Sequence, residues 1–83
     1  MKKYSAEEIH NFVMKIFADT LGVDSQTLHP LTAFNSHENW DSLKQLEIVN
    51  ELEKAFHINL STDDMIEMET IKKTEGIVAR HLA

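Results

Sequence analysis

The chain has 83 residues and a mass of 9.6 kDa, room for one small core and no second. It contains no cysteine, which excludes disulfides and thiolate metal sites and fits a reducing compartment. A net charge of −6 argues against phosphate-backbone binding, and no apolar run approaches the ~18 residues of a membrane span.

With only two glycines and one proline, the chain has few breaks, so helices are expected over a turn-rich sheet. The start, Met1 to Glu8, lacks the apolar stretch of a signal peptide. Ser5-Ala6-Glu7-Glu8 has the form of a capping box, in which side chains satisfy the free amides of a helix start. Ile9, Phe12, Val13, Ile16 and Phe17 then recur at helical spacing, and Gly22 can close the helix in a left-handed conformation. The first helix is expected over residues 6–20.

Residues 22–40 hold Gly22 and Pro30, with apolar Val23, Leu28, Leu31, Phe34 and Trp40 at intervals. So long a connection should pack over the helices with its own side chains, with room for a short helical turn. A second helix is expected over residues 42–56, where neither Gly nor Pro intervenes. Residues 57–60 read as extended. Ser61 can cap a short third helix, with Asp63 and Asp64 in its first turn, where negative charge suits the helix dipole. Thr70 can cap a fourth, with Ile71, Ile77, Val78 and Leu82 facing inward and Arg80 and His81 near its end. Gly76 weakens that helix by about 1 kcal/mol relative to alanine. The expected architecture is all-α: four helices in one domain over 1–83, a long first loop and a short third helix.

The negative charge is local. Residues 38–69 hold nine acids and two bases, whereas residues 70–83 hold one acid and three bases. Such a face either keeps the protein soluble or steers basic partners. Advancing the second helix by 100° per residue puts Ile48, Val49, Leu52, Ala55 and Phe56 in one arc, the core stripe. Leu43 and Leu46 fall outside it, among Glu47, Asn50, Glu53 and Lys54. Either the long loop covers them or they form an exposed apolar spot rimmed by carboxylates. Asp41 and Ser42 open this helix as caps would. A hydroxyl there has a second property: a phosphate attached to it would meet the positive end of the helix.

Asp41-Ser42-Leu43, opening a helix with acids on its outer face, resembles the modification motif of acyl carrier proteins. The surroundings strengthen the likeness. Leu21-Gly22-Val23 ends the first helix, Leu28 and Phe34 punctuate the loop, and Leu43 to Val49 follow the serine. Leu52 to Phe56 close the second helix, and Met68-Glu69-Thr70-Ile71 join the third to the fourth. The resemblance runs from about residue 6 to 82, at the length of a free-standing carrier.

The resemblance implies that Ser42 receives 4′-phosphopantetheine from coenzyme A through a phosphopantetheinyl transferase, with Asp41 recognised at that step. Acyl intermediates would ride as thioesters on the arm, and acyl-transferring, condensing or modifying enzymes would act on them. Leu43, Leu46, Glu47, Asn50, Glu51 and Glu53 would form the face offered to basic patches on partners. Phe34, Val49, Leu52 and Leu60 would shelter the acyl group. The protein would be a cytoplasmic monomer with no membrane insertion. Asn39 and Trp40 stand where housekeeping fatty-acid carriers have a glycine and a small or aliphatic residue, and Lys44 where an acid is common. These departures favour a specialised polyketide or lipid pathway. Asp41 favours an acyl over a peptidyl carrier, and a D-alanyl carrier matches less well around Trp40.

Other classes are poorly supported. A hydrolase at Ser42 would need a base and an oxyanion site, and His10, His29, His37, His57 and His81 form no such pattern with an acid. Their scatter also lacks the pairing of a zinc motif. Asp63, Asp64, Glu67 and Glu69 do not make a calcium loop. Met14, Met65 and Met68 read as core filler. The rival is a helical interaction module that docks through the same leucines and glutamates but carries no arm.

Overall fold

The structure is a computed structural model and describes residues 4–34 and 40–83. Four α-helices account for the fold: α1 (Ala6–Leu21), α2 (Ser42–Phe56), α3 (Thr62–Glu67) and α4 (Ile71–Leu82). A short 3-10 turn, Ser25–Thr27, sits in the long loop, as expected there. The described residues contain no strand, and their only extended pairing is the isolated bridge between Ala33 and Thr70. His37 and Asn39 lie outside the described residues.

Each helix starts where a side chain replaces missing backbone partners. Ser5 Oγ accepts from the Glu8 amide at 3.1 Å while the Ser5 amide donates to Glu8 Oε1 at 2.9 Å, completing the capping box. Asp41 Oδ1 caps α2 by accepting from the Lys44 amide at 2.9 Å. Ser61 and Asp64 form a second capping box, and Thr70 caps α4. Gly22 closes α1 with φ of 70°, the left-handed conformation glycine adopts without steric cost. α2 ends the same way at His57, with φ of 55°. No sequence cue marked His57 for that role.

The core joins Val13 and Phe17 of α1, Ile48 and Leu52 of α2, Met68, and Ile71 and Val78 of α4. Trp40, in the loop, belongs to it completely, at 0% exposure. Its ring meets Phe17 edge-on at 4.7 Å and Phe34 at 6.1 Å, geometries worth ~0.5–1.5 kcal/mol each beyond burial. The buried arcs are narrower than the apolar pattern suggests. Ala55, expected in the core stripe of α2, is exposed, because the packed surface stops at Leu52 and Phe56. Phe12 is 41% exposed, its ring T-shaped to those of Tyr4 and Phe56. Leu82 is half-buried, whereas Thr74 is fully buried, its hydroxyl donating to the Thr70 carbonyl at 2.9 Å.

α3 is fastened to α4 by a buried carboxylate. Asp64 Oδ2 accepts from the Ser61 amide at 3.0 Å and from His81 Nε2 at 2.7 Å, and Oδ1 accepts from Arg80 at 2.6 Å. The Ser61 amide first, then His81, then the Ser61 hydroxyl and Arg80, hold the carboxyl well below the usual carboxylate range, against the opposing effect of burial. The middle of the long loop is fixed to the start of α4 by backbone bonds: the Phe34 amide donates to the Glu69 carbonyl, the Ile71 amide to Thr32 and the Lys72 amide to Pro30.

Two stability effects follow. A methyl group added at Gly76 meets nothing within 4 Å on an exposed helical position, so Gly76→Ala raises the free energy of urea unfolding by about 0.5–1 kcal/mol. Asp64 contributes stability that is complete above the ordinary carboxylate pKa of ~3.9 and is lost as pH falls through that value toward the lower folded one. Asp64→Asn therefore lowers the urea midpoint at pH 7, and its midpoint falls less than the wild type's between pH 7 and pH 3.

Candidate functional site

The first turn of α2 sets the site. Trp40, held in the core, fixes the chain just before the helix; Asp41 turns outward to cap it; Ser42 is its first residue, and Asp41 and Ser42 are both exposed. Core anchoring one residue before the cap gives an exposed hydroxyl a defined position at the positive end of a 15-residue helix.

Beyond Ser42 the polar side of α2 carries an uncovered apolar spot. Leu43 is 65% and Leu46 59% exposed, so the loop residues described do not cover them. Ile66 of α3, 69% exposed, adds a third large apolar side chain that the sequence reading left out. Its signal was present, since Met65 and Ile66 are adjacent, point about 100° apart on a helix, and cannot both be buried by a six-residue helix whose inward side holds Asp64. The acids nearby are not equally available. Glu47 pairs with Lys44 at 3.2 Å and Glu51 lies 3.9 Å from Lys54, weak contacts at exposed positions. Glu53 is half-buried, and its Oε2 accepts from the Leu60 amide at 2.9 Å, tying the following loop back to α2. Asn50 is exposed.

Between α2 and α3 lie two depressions that share Met65. The wider, about 520 Å³, is lined by Leu46, Val49, Asn50, Leu60 and Met65 with Glu47 and Glu53. The smaller, about 150 Å³, is lined by Phe34, Gln45, Met65, Ile66, Met68 and Glu69. Of the four residues expected to shelter cargo, Val49 and Leu60 line the first, Phe34 lines the second, and Leu52 is fully buried in the core and lines neither.

A model of the phosphopantetheine attachment site family matches residues 11–78. The acyl carrier protein of Rubrobacter xylanophilus is 32% identical over 75 residues, which cover 90% of this chain and 93% of that protein. This chain belongs to the acyl carrier protein family. The group that an acyl carrier holds is 4′-phosphopantetheine, which supplies a flexible arm ending in a thiol that forms thioesters. The start of α2 fits such a group: it offers an exposed hydroxyl where a phosphodiester's charge meets the helix dipole. Among the described residues, no group of three or more His, Cys, Asp or Glu is placed to hold a metal ion, and no helix is long and apolar enough to cross a membrane.

In this acyl carrier Asp41 has a structural duty that is separable from recognition. Asp41→Ala removes the α2 cap and costs about 1 kcal/mol in urea unfolding, whereas Asp41→Asn, which can accept the same amide bond, retains most of it.

Proposed function

We propose that Ser42 bears the 4′-phosphopantetheine arm and that the protein presents acyl thioesters to partner enzymes rather than catalysing a reaction itself. The observation that carries this reading is the exposed Ser42 at the start of α2, capped by Asp41 and lying within the segment matched by the attachment-site family. Asp41 is read by the phosphopantetheinyl transferase as well as capping the helix. Leu43, Leu46, Glu47, Asn50, Glu51 and Glu53 form the partner face, which Ile66 extends onto α3. The exposure of the leucines supports an apolar centre, with carboxylates at its rim for basic partner patches.

Cargo lies in the seam between α2 and α3, against Phe34, Val49 and Leu60, while Leu52 stays in the core. The carrier works as a monomer in the cytoplasm. Asn39, Trp40 and Lys44 support service in a specialised lipid or polyketide pathway over housekeeping fatty-acid synthesis.

Intact mass after incubation with coenzyme A and a broad-specificity phosphopantetheinyl transferase tests the assignment. The wild type gains one phosphopantetheine and Ser42→Ala gains none. No gain in folded wild type, under conditions that modify a control carrier, would support an interaction module that docks through Leu43, Leu46 and Ile66 without an arm.

A further inference from the structure

Gln45 lies one turn beyond Ser42 on α2, on the neighbouring side of the helix, and its side chain bridges two buried features. Its Oε1 accepts from Trp40 Nε1 at 2.6 Å, and its Nε2 stands 3.5 Å from the Met65 carbonyl of α3. The orientation of the amide is not arbitrary. An indole nitrogen can only donate, so the Gln45 oxygen must face Trp40 and the Gln45 NH2 must face α3. That NH2 has two hydrogens. The Met65 carbonyl takes one at the outer limit of hydrogen bonding and already accepts from the Met68 amide at 3.3 Å. The buried indole thus fixes the amide of a side chain that also lines the small depression, where Phe34, Met65 and Met68 supply apolar walls, and leaves its NH2 with one long bond.

We infer that Gln45 is a specificity-determining residue, selecting acyl groups that carry a hydrogen-bond acceptor close to the thioester over unsubstituted alkyl chains. The inference rests on attachment of the arm at Ser42. An alkyl chain entering this depression would displace the Gln45 NH2 from Met65 and offer it nothing, leaving a part-buried donor unpaired. A 3-oxoacyl group would bring its own carbonyl to the same donor. The small size of the depression, about 150 Å³, also favours a short cargo. Of the two polar side chains that line it, Glu69 is exposed and paired with Lys73, whereas Gln45 is half-buried.

The test uses the apo-protein, onto whose Ser42 hydroxyl a broad-specificity transferase moves the acyl-phosphopantetheine of butanoyl-coenzyme A or of 3-oxobutanoyl-coenzyme A with release of adenosine bisphosphate, each product checked by mass. Transfer of each acyl group from the arm to excess N-acetylcysteamine is then timed and divided by the rate for the same acyl group on free coenzyme A. The wild type is expected to protect the 3-oxobutanoyl thioester roughly three- to tenfold more than the butanoyl one, the range one hydrogen bond supplies. Gln45→Glu keeps an acceptor for Trp40 but loses the donor, and should abolish the preference. Gln45→Met keeps the bulk and loses both bonds, with the same expected result, and urea midpoints confirm that the variants are folded. Equal protection of the two cargoes in the wild type, or a preference that survives in Gln45→Glu, would overturn the inference while leaving the Ser42 assignment intact. Failure of the wild type to take either acyl-arm would overturn the assignment and the inference together.

Discussion

A tryptophan buried to 0% exposure must still find an acceptor for its indole N–H, and in this protein the acceptor is Gln45. The requirement organises the end of the molecule that matters. Trp40 cannot leave the core without exposing its ring, so the chain immediately after it is fixed against Phe17 and Phe34. Asp41 then has a set place from which to cap α2, and Ser42 a set place from which to face solvent. The acceptor comes from the next turn of the same helix. The contact that satisfies the indole therefore also fixes the register of α2 against the loop that precedes it.

The third helix is held unevenly. On the α4 side, Asp64 gathers a backbone amide, a histidine and an arginine, and the bridge between Ala33 and Thr70 anchors the connection beyond. Toward α2, the polar links among the described residues are the long Gln45–Met65 contact and the bond from Leu60, just before α3, to Glu53, with the two depressions beside them. Separating α2 from α3 thus disturbs fewer and weaker bonds than separating α3 from α4. The seam nearest Ser42 is the one the molecule can open at least cost.

Much of this was legible in the residues. Capping side chains fixed the start of every helix, because Ser5, Asp41, Ser61 and Thr70 each sit before an apolar periodic run and have a local role. Leu43 and Leu46 stood out because helical periodicity left them beyond the core stripe. What escaped depends on contacts between distant parts of the chain. Nothing local says that Trp40 is fully buried, that Gln45 rather than water meets its indole, or that Asp64 caps one helix while binding the end of another. Ala55 and Phe12 were misplaced for the converse reason: an apolar face shows where a helix could pack, but only its neighbours decide how much is covered. Trp40 was visible before Asp41-Ser42 as a letter, while its pairing with Gln45 was not.

The chain has one tryptophan, and that residue lies fully inside the core one step before the Asp41-Ser42 pair. Its indole donates to Gln45, a side chain that lines the small depression between α2 and α3. The protein thus carries a single indole fluorophore beside its candidate site, with no second indole to blur the signal. Wetting of that region, or loss of the Gln45 contact, shifts the emission of the whole molecule. Events at the arm can therefore be followed optically in the unlabelled protein.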